Sequence, residues 1–345
     1  MEQHAARALG ANKLHNWKFG MAASIAVVII LSTGCTSRTV TASDSSLSQH
    51  TETNVTVAAL PADDLAGLYV AEYDGLFAKQ GLHVTIEKIA SSQAIITDQL
   101  KGDVDISAGS YVPYIAAQAA GASFRILAEA STLNPDTRVL VVTRKSHITS
   151  VADLIGQKIG VNGTNSIGTL LVSALLEENG ISPKDVDFVT DPAGFPAMPG
   201  QLQTGDWGAA FLAEPYVSIA EGDDGDQVLV DLDQGTTLDF PIDGYVATRS
   251  WAEKNPRTAA AFVRAIEEGQ EIADTQRQVA QAAMAKSDDL PAWVAGVMMM
   301  PDFPTGPVDV SRIQRVAITM LQFGVLGRKY SSQVQQGSLI RSMVG

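Results

Sequence analysis

The chain is almost without cysteine: among 345 residues there is one, Cys35. No disulfide can form within it, so the fold rests on core packing. Basic side chains are also scarce, 24 Lys and Arg against 38 Asp and Glu, for a formal charge of −14. A nucleic-acid partner requires a basic stripe, which so acidic a chain does not offer. Docking on anionic lipid by charge is excluded on the same ground. Histidine is thin: His4 and His15 sit near the N-terminus, and His50, His83 and His147 are scattered. There is no His-Glu-x-x-His, no Gly-x-Ser-x-Gly and no Gly-Lys-Ser/Thr phosphate loop. Metal, nucleotide and nucleophile chemistry therefore find no motif, and no metal or cofactor is expected. Beyond residue 34 no apolar run approaches the roughly 20 residues that cross a bilayer. The run Met298-Met299-Met300 reads as adaptable core rather than a metal box.

What is present begins with the leader. A weakly basic start (Arg7, Lys13, Lys18) precedes the apolar stretch Met21–Leu31, and small residues lead into Cys35. This is the order of an export signal. Small residues followed by Cys resemble a bacterial lipobox, in which the thiol is acylated and becomes the mature N-terminus. One departure is that Ser32 stands three before the cysteine, where Leu is commonest, with Leu31 one place earlier. Residues 1–34 are thus expected to be a lipoprotein signal peptide, with Cys35 the lipidated residue. The remaining chain would hold 21 basic and 37 acidic residues. Residues 35–53 are rich in Ser and Thr without apolar periodicity, the composition of a flexible tether. Its r.m.s. reach is on the order of 20–25 Å. Membrane contact through the lipid alone is expected, with stable attachment requiring two or more acyl chains.

From Asn54 the pattern alternates. Strands are predicted at Val55–Ala59, His83–Glu87, Val104–Ala108 and Phe124–Ala128, with helices at Asp64–Tyr73, Ser91–Leu100 and Val112–Ala120. A second series follows: strands at Arg138–Thr143, Lys158–Val161, Val186–Val189, Ala209–Leu212 and Val228–Val230, and helices at Ser150–Leu154, Ser166–Asn179, Met198–Gln203 and Glu214–Ala220. Gly244–Thr248 closes the alternation, after which the chain is helical, mainly over 257–275, 276–286, 291–298 and 309–324. Strands alternating with helices of this length indicate α/β layers with parallel sheets. The length beyond the tether exceeds one typical domain, so two lobes are expected.

Several segments occur in a telling order: Gly67-Leu-Tyr-Val-Ala71, Asp74-Gly-Leu-Phe77, Gly81-Leu-His-Val84, Gly102-Asp-Val-Asp-Ile106, Ser150-Val-Ala-Asp-Leu-Ile-Gly-Gln-Lys-Ile-Gly-Val161, Ala213-Glu-Pro-Tyr216, Asp243-Gly-Tyr-Val-Ala-Thr248 and Lys254-Asn-Pro256. Together, over roughly residues 54–325, they resemble the extracytoplasmic solute-binding proteins of the sulfonate, nitrate, taurine and thiamine-precursor ABC importers. The resemblance implies a two-lobe periplasmic-binding-protein-like fold of type II, each lobe a mostly parallel sheet flanked by helices, with a helical C-terminal tail. It places lobe I at 54–140, lobe II at 141–243, and the return with the tail at 244–345. The crossings are expected near Thr137–Val141 and Pro241–Val246, forming a hinge of the kind that closes around ligand. The implied partners are a small-molecule ligand and an ABC permease with its ATPase. A monomer, not an enzyme, is expected outside the cytoplasm. Alternatives are an enzyme of thiamine-pyrimidine synthesis from the same superfamily, or a tethered ligand sensor.

In open α/β sheets ligands lie beyond the carboxyl ends of the strands, and that rule selects the candidates. Asn162-Gly-Thr-Asn-Ser-Ile-Gly168 lies between a strand and a long helix. There Thr164, Asn165 and Ser166, with the helix N-terminus, suit an anionic or polar group. Asp63 and Asp64 follow the first strand and Glu214 follows a strand of the second lobe; each carboxylate would accept a ligand N–H or start a helix. Ser92 and Ser110 supply short donors or caps. Tyr111 and Tyr216 line an aromatic pocket or pack within their lobes. Asp243 opens the returning segment. Acids beside a helix N-terminus favour a zwitterion or polar nitrogen compound over a simple anion.

Overall fold

The computed structural model describes residues 52–344. The leader, Cys35 and nearly all of the tether lie outside them.

Two five-stranded sheets form. The first contains β1 (Thr53–Ala59), β2 (Leu82–Lys88), β3 (Ile106–Ser110), β4 (Phe124–Thr132) and β10 (Pro241–Thr248), in the order β2-β1-β3-β10-β4. The second contains β5 (Arg138–Val142), β6 (Lys158–Gly160), β7 (Asp187–Val189), β8 (Ala209–Ala213) and β9 (Gln227–Asp231), in the order β7-β6-β8-β5-β9. β1 is parallel to β2 and β3, while β10 opposes β3 and β4. In the second sheet β6 is parallel to β7 and β8, while β5 opposes β8 and β9. Each sheet thus has four strands in one direction and one reversed. Each reversed strand is the first that the chain lays down on entering that lobe, β5 after the first crossing and β10 after the second. The central strands β3, β5 and β8 are buried along their whole length, as expected when helices cover both faces.

The predicted elements are found with small shifts. The third strand, read at Val104–Ala108, runs Ile106–Ser110. Val104 instead packs with Ala58, Leu60 and Ile95, and the Asp105 carboxylate accepts the Thr56 N–H. The stretch read as a helix at Ser150–Leu154 is one 3₁₀ turn, Val151–Leu154, closed by a Ser150–Asp153 capping box. Two short helices, Ser331–Gln335 and Ser338–Val344, extend the tail beyond its main predicted pieces.

The tail supports the first lobe and the segment that returns to it. Helix Pro256–Thr275 lies against helix Ala66–Tyr73, and its Phe262 stacks on Phe77 at 5.4 Å. Helix Val310–Gln322 packs on helix Tyr111–Ala119 and also reaches helix Ile167–Glu178 of the second lobe. From it Arg315 donates to the carbonyls of Asp239 at 3.0 Å and Thr236 at 3.1 Å, and to that of Leu238. Its guanidinium lies 5.1 Å from the Phe240 ring. The segment leading back to β10 is therefore clasped by the tail.

Candidate functional site

Between the two lobes lies a cavity of about 270 Å³. The first lobe contributes Ser91, Ser92, Gln93 and Pro113 to its wall, and the second contributes Asn162–Ser166 and Thr190–Pro192. Two helices begin at this cavity from opposite sides. Helix Ser92–Lys101 is capped by Ser91, whose hydroxyl accepts the Ala94 N–H at 3.3 Å. Helix Ile167–Glu178 is capped by Ser166, which accepts the Thr169 N–H at 3.4 Å and donates to the Gly163 carbonyl at 2.7 Å. Asn162 accepts the Gly168 N–H at 3.3 Å. Just beneath, Ser110 caps helix Tyr111–Ala119.

No Lys or Arg lines the cavity. Its charged residue, Asp191, is occupied in a turn, accepting from Ala193 N and from Gln201 Nε2, both at 2.8 Å. The wall is thus hydroxyls, amides and the positive ends of helices, a set that holds an anion with neutral donors. The lobes touch at its rim. Gly194 has φ 67° and ψ −150°, a region essentially confined to glycine, and a Cβ there would stand 2.5 Å from the Ala90 carbonyl oxygen of the opposite lobe.

A buried ionic cluster joins the start of β5 to the turn after β1. Arg138, the first residue of β5, reaches Asp63 Oδ1 at 2.9 Å and pairs with Asp64. Asp64 also accepts from Ser131 Oγ at 2.9 Å. Asp243 sits on β10 at an irregularity, with the register against β4 shifting on both sides of it. Burial drives the Asp63 and Asp243 carboxyls well above their ordinary range, and neighbouring carboxylates add to the rise against the pull of Arg138. Burial alone would lower Arg138, but Asp63 and Asp64 outweigh it and the net shift is upward.

Comparison with known proteins identifies the family. The family described as NMT1/THI5 like matches residues 62–280. The chain belongs to that family. It is 32% identical over 193 residues to a putative aliphatic sulfonates-binding protein of Escherichia coli (strain K12), covering 55% of this chain and 58% of that protein. It is 31% identical over 220 residues to the taurine-binding periplasmic protein of the same organism, covering 63% and 66%. The chain therefore matches somewhat under two thirds of either relative. Its fold is that of the alkanesulfonate-binding protein SsuA from Xanthomonas axonopodis pv. citri bound to MOPS, with a TM-score of 0.69, 17% identity, and coverage of 80% of this chain and 95% of that one. A desulfurization enzyme, DSZB, shares the fold at a TM-score of 0.58 and 16% identity, covering 85% and 99%, so the fold alone does not decide between binding and catalysis.

In this NMT1/THI5-like chain, Ser92, Thr164, Asn165 and Ser166 come together on the cavity wall. Ser110 lies one layer below, paired across the sheet with Asp243. Tyr111 and Tyr216 do not share a pocket wall. The Tyr111 ring fills the space left by Gly244, where a Cβ would stand 2.5 Å from it, and Tyr216 stacks on Phe195 at 6.1 Å. Glu214 is buried, and its carboxylate accepts Ser218 N at 3.0 Å, Ser218 Oγ at 2.9 Å and Met299 N at 3.0 Å. Asp63 and Asp64 face Arg138, which the sequence reading had not singled out. The signal was weak: an arginine opening an apolar strand is buried only where the fold encloses it, as here, and a buried guanidinium requires carboxylates.

Proposed function

We propose that this protein is the solute-capturing component of an ABC importer, and that its cleft takes an organic sulfonate. The observation that carries the reading is the cavity between the lobes, where two helix N-termini and the hydroxyls of Ser92 and Thr164 meet without a basic side chain. A sulfonate spreads one charge over three oxygens, which several backbone and hydroxyl donors at helix N-termini can meet at once. Both relatives quoted above are named for sulfonate-type solutes, which supports the same class. The acids that argued against an anion from sequence alone are turned toward Arg138 or held in caps.

On this reading the two crossings act as a hinge, and closure brings the loop at Gly194 against Ala90. Acylation of Cys35 would hold the molecule at the membrane outside the cytoplasm, with the tether lifting it toward a permease and its ATPase, and the body would work as a monomer. The reading is of a binder. Hydroxyls and amides can retain an anion, but none is poised to attack it. A thermal-shift screen with alkanesulfonates, taurine, nitrate and hydroxymethylpyrimidine tests the class. A ligand at 100 times its Kd adds about 2.7 kcal/mol of stability, and the sulfonates are expected to give the rise.

A further inference from the structure

β4 is the last strand of its sheet, and its outer edge is paired at one end only. There Thr132 and Asp302 exchange backbone hydrogen bonds at 2.9 and 3.2 Å, as an antiparallel bridge. Carried further in that direction, residues 304–308 would lie along β4 back toward Ile126. They leave it instead. Pro304 has no N–H to give, and Gln270 enters between the two segments, its Nε2 donating to the Ala130 carbonyl at 3.3 Å and the Pro304 carbonyl at 2.6 Å. Pro307 likewise lacks a donor, and Asp309 N turns to Glu129 Oε1 at 2.9 Å. The chain thus begins a sixth strand at Asp302 and abandons it. Among the described residues, nothing bonds the outer edge of β4 from Arg125 to Ala128.

The space alongside is a groove of about 550 Å³. It opens between two helical layers. Ile126 belongs to the core that holds Ile340 and Met343 of helix Ser338–Val344, while Leu127 packs on the core that holds Phe262 and Ala265 of helix Pro256–Thr275. Both helices lie against β4. Val263 and Val308 extend the apolar wall, and Arg125 and Arg264 stand on it. Arg264 donates to Gln80 Oε1 at 2.8 Å, and Arg125 has no partner among the described residues. No acidic residue lines the groove, although the chain carries a formal charge of −14. Its sign is therefore opposite to that of the molecule around it. An open strand edge is a template for another strand, and two arginines select one that carries acids. Edge-to-edge pairing of two copies would crowd the arginines of both, so the charge disfavours a second copy of this chain.

We propose that the outer edge of β4 receives an extended segment of a protein partner as a sixth strand, its acidic side chains meeting Arg125 and Arg264 and its apolar ones lying against Ile126, Val263 and Val308. Backbone hydrogen bonds supply affinity in this mode of recognition, and alternate side chains supply specificity. The free edge of four residues spans about 13 Å, enough for one short strand. None of the groove residues lines the cavity between the lobes, so the surface is separate from solute capture and the proposal does not rest on the sulfonate reading.

Fluorescence anisotropy on the whole protein tests this with a labelled, end-blocked hexapeptide of alternating glutamate and valine. A second peptide has lysine in place of glutamate, and a third keeps the glutamates but has proline for two of the valines. The first is expected to bind, and the second to bind at least about tenfold more weakly because like charges meet. The third is expected to lose about tenfold because it lacks backbone donors. Hydrogen exchange read by mass spectrometry is expected to slow over residues 124–129 when the first peptide is added. The double variant Arg125→Glu and Arg264→Glu is expected to prefer the lysine peptide. Equal binding of the first two peptides overturns the proposal, as does failure of all three to bind. If the proline peptide or dodecanoate binds as well as the first, the groove is a site for anionic amphiphiles and strand addition is wrong. Self-association in sedimentation that the first peptide reverses would assign the edge to a second copy and overturn it as well. The peptide comparisons need no variant, so a misfolded substitution does not protect the idea.

Discussion

The amide of Asp63 donates to the carbonyl of Glu214 at 3.2 Å, joining the turn after β1 to the end of β8 and so one lobe to the other. The Glu214 side chain extends the link by accepting Met299 N from the tail while it caps its own helix through Ser218. Glu214 is therefore a junction between lobes.

Glu214→Gln keeps the shape but presents an N–H₂ where a carboxylate oxygen now accepts from Ser218 or Met299. An unsatisfied buried donor costs about 1–3 kcal/mol, and urea denaturation is expected to show a loss of that size. A midpoint unchanged from wild type would mean that the junction contributes nothing.

The buried acids beside Arg138 give stability an unusual dependence on pH. Folding raises the carboxyl pKa of both Asp63 and Asp243, mainly through burial. Their contribution is therefore fully present below the ordinary carboxylate pKa of about 4 and is lost as pH rises through the elevated folded values. Asp243→Asn removes one such group. Its thermal midpoint without ligand is expected to match wild type near pH ~4 and to exceed it by several degrees near pH ~8. Parallel curves across that range would contradict the assignment.

Gly194→Ala separates backbone strain from lobe contact. The positive φ costs roughly 1–3 kcal/mol in any state, whereas the clash with the Ala90 carbonyl exists only when the lobes meet. Sulfonate affinity is expected to fall about tenfold beyond any change in stability. A purely thermal effect with intact affinity would show that the bound state does not bring this loop against Ala90.

Cys35→Ser addresses the anchor. Membrane fractionation is expected to find the variant in the soluble fraction with its ligand affinity retained, since the cavity wall is built from residues 91–192. A wild-type N-terminus cleaved elsewhere and unmodified would end the lipoprotein reading.

Much of this was legible in the sequence because local signals and fold agreed. Ser91, Ser110 and Ser166 each precede an apolar-periodic run, and each caps a helix. The position of the loop at Thr164–Ser166 followed from the strand before it. The partnership of Asp63 and Asp64 with Arg138 was hidden, because residues more than 70 apart meet only once the first crossing is laid. Position alone gives an acid at a strand end the same appearance whether it faces ligand or a buried guanidinium. Tyr111 was obscured by a different cause: the space it fills exists because Gly244, on a strand formed much later in the chain, lacks a side chain.

The most direct test is a crystal structure of the protein with ethanesulfonate. The sulfonate oxygens are expected in the cavity between the lobes, about 2.7–3.2 Å from the N-terminal amides and hydroxyls that begin helices Ser92–Lys101 and Ile167–Glu178. A cleft without sulfonate, or sulfonate held only by surface lysines and arginines, would contradict the account.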